Sequence, residues 1–347
     1  MHKNTKRILT ALFFIAACAA AYFIIVRGQN NKNASTQIFA MDTYMELTAY
    51  GKNSEDAVRT AKEEIERLDA LLSTGNEKSE ISQLNKNKKG QISADTQYLL
   101  NRSFTIYEET DGAFDITIYP IMRAWGFTGE EHRIPTEEEL QSLLQLVDAS
   151  SLQYDASTQT LTLPEGVEID FGGIAKGYTS QRVAQIMQEY DINSAILNLG
   201  GNVQLVGAKP DGSSWKVAIK SPDEQEEYLG VLSAKNKAII TSGGYERYFE
   251  ENGRKYHHII DPKTGMPAYN GLQSVTIVSE DGTLADGLST ALYVMGTEAA
   301  VKFWQDHSDE FDAILYTDDG TLYVTEGIAD TFTSSHSITV FEKAVAF

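Results

Sequence analysis

The stretch Glu168-Ile-Asp-Phe-Gly-Gly-Ile-Ala-Lys-Gly-Tyr178 is the part of the chain around which the fold is organised. Apolar residues alternate at Val167, Ile169 and Phe171, which predicts a strand that runs into two glycines. From Lys176 to about Tyr190 the apolar spacing becomes that of an amphipathic helix. A strand, a glycine-rich turn and a helix N-terminus offer backbone N–H groups and a positive dipole end to an anion.

This glycine-rich stretch matches neither a Walker A loop nor the G-x-G-x-x-G dinucleotide fingerprint. Its glycines at 172, 173 and 177 allow close backbone approach, and Lys176 adds a cation at the same place. The spacing alone therefore leaves two interpretations open, a phosphate-binding turn and a tight strand-to-helix connection. Other parts of the chain have to decide between them.

Residues 1–27 predict a membrane-directed segment that is separate from the globular fold. Three basic residues precede Ile8–Val26, a run without charged residues that is mostly apolar. A transmembrane helix needs about 20 such residues, whereas the apolar core of a signal peptide has about 7–15, so an uncleaved anchor is favoured. The alternative is a lipoprotein-type signal ending at Cys18, although Ala19–Val26 stays apolar where a mature lipoprotein turns polar. A polar linker, residues 28–35, follows.

Either form of the N-terminal segment keeps its basic flank in the cytoplasm and exports the domain that follows. We therefore expect a protein of the cell membrane, anchored at its N-terminus, with the domain of residues 36–347 on the extracytoplasmic side. The only cysteine, Cys18, precedes this domain. Disulfides and thiolate catalysis are thereby excluded within the domain.

The charge of the chain narrows the choice of partners. The 347 residues carry 29 Lys and Arg against 49 Asp and Glu, a net charge of −20. Residues 28–347 carry 25 Lys and Arg against the same 49 acids, a net charge of −24. Such an acidic surface excludes nucleic acid and anionic lipid as partners of the domain, so the membrane is contacted only through the N-terminal segment. An anionic phosphate ligand would require a metal ion or locally concentrated cations.

Periodicity and turn residues predict several helices among many strands. We expect helices at about 54–72, 94–108, 137–146, 176–190 and 285–295. We expect strands at 45–49, 152–154, 160–163, 195–199, 216–219, 238–241, 256–260, 274–278, 313–316 and 322–324. Because helices and strands do not alternate regularly, the fold class is α+β.

Asp286 and Thr290 form the first constellation with chemical meaning. They are four residues apart in a predicted helix, so the carboxylate and the hydroxyl share one helix face. With a backbone carbonyl and phosphate oxygens, this pair could hold Mg²⁺, which prefers few protein ligands plus substrate oxygens. The alternative is that Asp286 caps the helix and Thr290 packs against its neighbours.

The second constellation is Arg254-Lys-Tyr-His-His-Ile-Ile-Asp-Pro-Lys-Thr-Gly-Met-Pro267. In a strand His257 and His258 point to opposite faces, so at most one of them faces a site. Asp261 begins a turn directly after this strand. A catalytic histidine beside a carboxylate and a purely structural pair are both compatible with the pattern. Glycine breaks after the strands at 195–199 and 238–241 could contact phosphate or ribose, or simply be bulges.

Taken together, these motifs occur in an order that resembles the ApbE family, the FAD:protein FMN transferases. The resemblance covers about residues 36–327, nearly the whole domain. It is carried by Met41-Asp-Thr43, Ser79-Glu-Ile-Ser-Gln-Leu-Asn85, Phe114-Asp-Ile-Thr117, Trp125-Gly-Phe127, Asp170-Phe-Gly-Gly-Ile-Ala-Lys-Gly-Tyr178, Asn198-Leu-Gly-Gly201, Thr241-Ser-Gly243, His258-Ile-Ile-Asp-Pro-Lys-Thr-Gly265 and Ala285-Asp-Gly-Leu-Ser-Thr-Ala291.

The resemblance implies a T-fold-like α+β fold with two intertwined α/β subdomains and an FAD cleft between them. It implies FAD contacts at Met41, Ala113, Phe114, Asp115, Gly172, Lys176 and His258. It also implies Mg²⁺ held by the Ala175 carbonyl, Asp286 and Thr290, and a base at His258 or Asp261.

The implied reaction transfers FMN from FAD to a Thr hydroxyl of an acceptor protein and releases AMP. Related enzymes serve subunits of membrane redox pumps and extracellular electron-transfer proteins, so the implied partners are FAD and such an acceptor. Two alternatives stay open: an FAD pyrophosphatase that uses water in place of Thr, and a membrane-anchored flavin-binding protein without turnover.

Two departures from the family pattern concern the contacts to the flavin ring. Asp42 stands where the family often has Gly, and Gly75 stands near a position where the family has an aromatic residue that can stack on the flavin. Another aromatic residue, Tyr44, Phe114 or Tyr178, would have to take over the stacking.

Overall fold

The computed structural model describes residues 32–129, 131–223 and 225–343. In this part of the chain the helices are α1 (Ser54–Leu72), α2 (Glu80–Asn87), α3 (Ala94–Glu109), α4 (Tyr119–Trp125), α5 (Glu137–Leu144), α6 (Ala175–Glu189), α7 (Gly282–Met295), α8 (Thr297–Asp306) and α9 (Glu326–Ala329). The α6 helix follows the glycine-rich stretch, and α7 carries the Asp286–Thr290 pair.

The strands fall into one large sheet and three small ones. They are β1 (Asn33–Ala40), β2 (Thr43–Tyr50), β3 (Lys89–Gln91), β4 (Gln153–Asp155), β5 (Thr160–Thr162), β6 (Ser194–Leu199), β7 (Asn202–Gly207), β8 (Trp215–Lys220), β9 (Tyr228–Ala234), β10 (Ala238–Gly243), β11 (Tyr248–Glu251), β12 (Arg254–His257), β13 (Leu272–Ser279), β14 (Phe311–Thr317), β15 (Leu322–Thr325), β16 (Phe332–Thr333) and β17 (Ile338–Phe341).

The large sheet has the strand order β1-β2-β6-β7-β10-β13-β14-β15-β17, and its neighbouring strands are antiparallel except for the parallel pair β15 and β17. This mixture of helices with a mostly antiparallel sheet confirms the α+β prediction. The two predicted subdomains correspond to two halves of one continuous sheet. The α1 and α6 helices pack on β1, β2, β6 and β7, whereas α7 packs on β10 and β13.

Side-chain alternation determines which residues of the sheet face these helices. In β2, Met45, Leu47 and Ala49 are buried and join a hydrophobic core with α1 and α6. The strand register carries the same face across the sheet, from β6 to β7 and on to β10. This face therefore includes Asn202 in β7. It also includes Ser242 in β10, which lies four residues after Ala238, the partner of Gln204 in β7. Both polar side chains are thus directed toward the region where α6 and α7 begin.

The opposite face of the large sheet is covered by the small sheet β16-β9-β8. Trp215, Val217 and Ile219 of β8 alternate with exposed residues and pack against β10, β13, β14 and β15 in a second core. Burial on both sides explains why the central strands β13 and β14 are almost continuously apolar or small.

Most predicted elements are confirmed within one to three residues, but several differ. The sequence analysis did not predict the helices α2, α4, α8 and α9 or the strands β1, β3, β7, β9, β11, β16 and β17. The strand expected at 256–260 is β12, Arg254–His257, and Ile260 makes only an isolated bridge to Pro267. The predicted linker, residues 28–35, extends too far, because β1 begins at Asn33 and the domain therefore starts before residue 36.

The strand predicted immediately before the glycines is absent. Val167, Ile169 and Phe171 are buried alternately, as the pattern indicated, yet residues 167–171 belong to no strand. The side-chain amide of Asn85 takes the place of a neighbouring strand: its Nδ2 donates to the Ile169 carbonyl at 2.8 Å and its Oδ1 accepts from the Ile169 N–H at 2.8 Å. One amide thus satisfies the backbone where a strand ladder would otherwise be needed.

None of the helices among the described residues is long and apolar enough to cross a membrane. The predicted N-terminal anchor or lipoprotein-type signal, residues 1–27, lies outside the described residues.

Candidate functional site

The site is organised by a close contact between the first turns of α6 and α7. A Cβ atom added at Gly177 would lie 2.1 Å from the Gly282 carbonyl oxygen and 2.5 Å from Asp286 Cβ. Only a glycine permits this approach, because any side chain would push the helices apart. The contact brings two motifs together that are more than a hundred residues apart in the chain.

The N-terminus of α6 binds an anion, and that anion is a side chain of the protein. The Gly177 N–H donates to Asp286 Oδ2 at 2.7 Å, and Asn202 Nδ2 donates to Asp286 Oδ1 at 3.0 Å. The expectation that these N–H groups face an external phosphate is corrected at Gly177, whose N–H is taken by Asp286. The buried carboxylate at a helix N-terminus is stabilised by the helix dipole.

Four further residues place oxygen atoms on the elements that meet at this contact. Thr290 follows it by one helical turn, and its hydroxyl lies 3.3 Å from Ser242 Oγ, which also contacts Ser289 Oγ at 2.8 Å. The Ala175 carbonyl lies in the same first turn of α6 as Gly177 and accepts from Thr179 Oγ1 at 2.8 Å. The predicted residues Ala175, Asp286 and Thr290 therefore lie on the two helices that meet at the Gly177–Asp286 contact.

This donor set fits a hard divalent cation. Each oxygen of Asp286 accepts one protein hydrogen bond and keeps a further lone pair, and burial raises the pKa of its carboxyl group. A cation beside the carboxylate would favour the ionised form. The described residues contain no cluster of three or more His, Cys, Asp or Glu that could hold a metal ion. One carboxylate with neutral oxygens suits Mg²⁺, which takes the remainder of its ligands from substrate and water.

The glycine-rich turn places a cation beside this junction. The Phe171 carbonyl accepts from the N–H groups of Ile174 and Ala175, which closes the turn. Lys176 is half-buried, and its Nζ lies 3.5 Å from the Gly172 carbonyl. The positive charge of Lys176 acts on the Asp286 carboxyl group and also on Asp170, whose pKa is nevertheless raised by burial.

His258 has the geometry of a neutral hydrogen-bond acceptor. Its Nδ1 lies 3.1 Å from the Arg247 carbonyl. Since a carbonyl oxygen can only accept, Nδ1 carries the proton and Nε2 is left with a free lone pair. Burial, followed by the charges of Arg247 and Lys176, lowers the pKa of His258 to about 3. The imidazole is therefore unprotonated at neutral pH and can accept a proton through Nε2.

His257 faces the other way, which confirms the prediction that at most one of the two histidines faces a site. It is buried, and its Nε2 contacts the Ala268 carbonyl at 2.9 Å. The rings of Tyr269 and Tyr293 pack edge-on against it, and burial lowers its pKa to about 4. His257 is thus a core residue, and His258, which follows the end of β12, is left as the candidate base.

Asp261, the second candidate base, is engaged in a turn. Its Oδ1 accepts from the Lys263 N–H at 2.8 Å and its Oδ2 accepts from Thr264 Oγ1 at 3.1 Å. Its backbone carbonyl accepts from the Thr264 and Gly265 N–H groups. Both carboxylate oxygens of Asp261 are engaged in stabilising its own turn. The geometry therefore favours His258 over Asp261 as the base.

Met41 lies in the two-residue turn of the β1–β2 hairpin, with Asp42 beside it. Both have positive φ angles, 49° and 58°, as a type I′ turn requires. Glycine is the preferred residue at the second position of this turn, which gives a physical reason for the family's Gly where Asp42 stands. The Met41 N–H donates to Asp69 Oδ1 at 3.0 Å, and its sulfur lies 3.8 Å from Thr179 Oγ1 of α6. The turn is therefore attached beside the α6 N-terminus.

The segment Ala113-Phe114-Asp115, for which FAD contacts were predicted, lies beside the glycine-rich turn. All three residues are buried, and a Cβ atom at Gly173 would lie 2.9 Å from the Phe114 ring. The Phe114 ring thus packs against the glycine-rich turn at Gly173 and supports it. The Asp115 carboxylate accepts from the Thr117 N–H, the Thr117 hydroxyl and the Ala149 N–H, so a side-chain contact from Asp115 to FAD is not supported.

Among the three aromatic residues considered for flavin stacking, only one is accessible. Phe114 is buried under Gly173, and Tyr178 is buried between Asp95, which accepts from its hydroxyl, and the ring of Tyr98. Tyr44 is 79% exposed at the tip of the β1–β2 hairpin, where its ring contacts that of Phe39. The structure therefore leaves Tyr44 as the accessible candidate.

Three residues that were not named among the predicted site residues, although they lie in or beside the glycine breaks of the sequence analysis, contact the predicted ones: Asn202, Ser242 and Arg247. Asn202 and Ser242 are polar side chains on the helix-facing side of the large sheet. Their positions follow from strand alternation, so a polar residue at an inward position was a usable signal. Arg247 follows β10 in a loop, and no periodic pattern could have indicated that its carbonyl would hold His258.

Comparison with known proteins shows the family of this chain. The sequence profile of the ApbE family matches residues 41–315. An FAD:protein FMN transferase of Vibrio cholerae is 34% identical over 273 residues, which are 76% of this chain and 81% of that protein. An FAD:protein FMN transferase of Haemophilus influenzae is 32% identical over 285 residues, or 79% of this chain and 82% of that protein.

Solved structures show the same fold. The ApbE protein of Thermotoga maritima superposes with a TM-score of 0.80 at 32% identity, covering 85% of this chain and 98% of that chain. The flavin transferase ApbE from Vibrio cholerae superposes with a TM-score of 0.77 at 28% identity, covering 86% and 99%. The mixed α/β fold is therefore that of ApbE structures, and this chain belongs to the ApbE family.

Proposed function

We propose that this enzyme transfers the FMN moiety of FAD to a Thr hydroxyl of an acceptor protein, releases AMP and uses Mg²⁺. The family and the activity of the relatives indicate an enzyme of the flavin transferase type. The metal, the Thr acceptor and the AMP product go beyond them. They are supported by the oxygen donors at the α6–α7 junction and by the neutral histidine nearby.

The observation that carries the proposal is the contact of Asp286, one turn before Thr290 on α7, with the first turn of α6, which holds the Ala175 carbonyl and Lys176. A protein that only binds a flavin ring needs no such set of hard oxygen donors. The chemistry supplied by a bound Mg²⁺ would be neutralisation of the pyrophosphate oxygens and of AMP as it leaves. Asp286 would be the charged ligand, while Thr290 and Ala175 would contribute neutral oxygens.

The residues of the chain position and deprotonate the attacking group. The Thr oxygen of the acceptor bonds to the phosphorus of the FMN half of FAD. The bond from this phosphorus to the bridging oxygen breaks, and AMP leaves with that oxygen. Nε2 of His258 takes the Thr proton, because Nδ1 is held by the Arg247 carbonyl and the ring is neutral. Lys176 adds positive potential beside the phosphates.

The test is incubation of the protein with FAD, Mg²⁺ and an acceptor protein that carries a flavinylation motif. We expect a fluorescent acceptor band in a denaturing gel, together with one AMP per flavin attached. A matched acceptor with Thr replaced by Ala is the control and should stay unlabelled. Chelation with EDTA should stop labelling, and added Mg²⁺ should restore it.

Two other outcomes would change the assignment. If free FMN and AMP accumulate without labelling, water replaces Thr and the enzyme is an FAD pyrophosphatase. If FAD is bound but neither AMP nor labelled acceptor appears, the protein is a flavin carrier. Both alternatives use the same cleft, so product analysis is needed to separate them.

We also propose that residues 1–27 anchor the enzyme at the cell membrane with its domain on the extracytoplasmic side. The uncharged run after a basic flank supports this placement. Acceptors would then be extracytoplasmic parts of membrane redox pumps or extracellular electron-transfer proteins. Protease added to intact spheroplasts should digest the domain; protection of the domain would contradict the placement.

A further inference from the structure

Arg247 lies between the β10 and β11 strands and is tied to the candidate base. Its backbone carbonyl accepts from the His258 N–H at 3.0 Å and contacts His258 Nδ1 at 3.1 Å. Its side-chain Nη2 donates to the Phe127 carbonyl at 2.6 Å. One residue thus holds the base through its backbone and the Trp125–Phe127 segment through its side chain.

The Arg247 guanidinium retains unused hydrogen-bonding capacity. The residue is exposed, and the Phe127 carbonyl occupies only one of its N–H groups. No carboxylate among residues 32–129, 131–223 and 225–343 lies within ion-pair distance of it. The carbonyl orients the guanidinium without neutralising its charge. A charged fork in a defined orientation is the arrangement that recognises a phosphate or a carboxylate.

Arg247 and Lys176 act on the same two groups. Both positive charges lower the pKa of His258, and both oppose the burial-induced rise in the pKa of Asp170. The two cations come from different elements, the first turn of α6 and the loop after β10. The Phe127 residue that the Arg247 side chain contacts has its ring 6.4 Å from the His258 ring, so the guanidinium is held on the same side as the candidate base. In a chain with a net charge of −20, such a pair of cations marks a local site for an anion.

We propose that Arg247 is a phosphate-binding residue, whose guanidinium contacts a pyrophosphate oxygen of FAD together with Lys176. The proposal rests on the proposed function, because it places the FAD pyrophosphate between these cations and the candidate base. The fork of Arg247 would orient the phosphate, whereas Lys176 would act as a point charge. The alternative is that Arg247 only holds the Phe127 carbonyl in place.

The experiment measures binding of FAD and of riboflavin, which has the same ring but no phosphate, by titration of the full-length protein. In Arg247→Gln we expect the Kd for FAD to rise about 10- to 100-fold, the range of one charge-assisted contact, with riboflavin unchanged. Arg247→Lys keeps the charge but loses the fork, so its Kd for FAD should rise less. Lys255→Gln, a change of the same charge on β12, is the matched control and should bind both ligands normally.

If the Kd values for FAD and for riboflavin rise equally in Arg247→Gln, the proposal is overturned and Arg247 only holds the Phe127 carbonyl in place. Unchanged FAD binding in Arg247→Gln would overturn it as well. If Arg247→Gln does not fold, the comparison of FAD with riboflavin in Arg247→Lys decides by the same criterion. Binding is measured without an acceptor, so absence of FMN transfer would not affect this result.

Discussion

Asp115 and Asp286 are two buried carboxylates whose pKa values are both raised by burial, yet their surroundings differ. Asp115 accepts three hydrogen bonds, two from Thr117 and one from the Ala149 N–H. These donors join two separate parts of the chain. No cation contributes to the pKa of Asp115, and Asp148 adds a like charge.

Asp286 accepts one hydrogen bond on each oxygen, from Gly177 and from Asn202. The charge of Lys176 and the N-terminus of α6 both favour its ionised form. Thr290 and the Ala175 carbonyl add uncharged oxygens at the same junction. The comparison teaches that burial and a raised pKa do not identify a functional carboxylate. What distinguishes one is the combination of remaining lone pairs, nearby positive charge and further oxygen donors.

The largest expected effect is that of Asp286→Asn. The substitution keeps the shape of the side chain but removes the only charged donor of the metal set. We expect the rate of FMN transfer to fall by about 10³-fold or more, since a metal ion contributes several kcal/mol to stabilisation of developing charge. Initial rates of acceptor labelling, normalised to folded protein, measure the effect. Labelling at the wild-type rate would remove Asp286 from the metal site.

Asp115→Asn is the matched change at the other carboxylate. One side-chain oxygen becomes an NH₂ group that faces a donor, so we expect a loss of about 1–3 kcal/mol in the free energy of unfolding. Transfer per folded molecule should stay within about threefold of the wild type, and urea denaturation together with the labelling assay measures both quantities. A large loss of transfer in a stable Asp115→Asn protein would show that Asp115 contacts the substrate and would break the comparison.

The smallest effect concerns pH and extends the comparison to His258, a base whose pKa burial lowers. The neutral ring accepts the Thr proton, so activity is lost only when the pH falls toward the folded-state pKa of about 3. We expect kcat/KM to show no loss near pH 6.5, the ordinary histidine pKa, and to stay level down to about pH 5. In Arg247→Gln the acid limb should move to higher pH, because one positive charge is removed. If kcat/KM of the wild-type enzyme instead falls off at about pH 6.5, the His258 ring is not held neutral by its surroundings.

The motifs that follow local periodicity were predictable. The start of α6, the one-turn spacing of Asp286 and Thr290, and the opposite orientations of His257 and His258 all follow from helix and strand geometry. The strand predicted before the glycines was wrong. The side-chain amide of Asn85 takes the hydrogen bonds that a neighbouring strand would have provided, and the local sequence pattern does not show this. The same applies to Asp115, since no sequence pattern reveals whether a carboxylate turns toward a ligand or toward the protein.

The sequence by itself determined the ApbE resemblance, the α+β class and the candidate residues for a metal site. Only the tertiary structure decided that Asp286 occupies the N-terminus of α6 and that Arg247 holds the candidate base. These contacts join residues that are distant in the chain, and they depend on which backbones come close enough to touch. At Gly177 and Gly282 the absence of side chains permits that approach, and the glycine-rich stretch becomes one wall of the site through this contact.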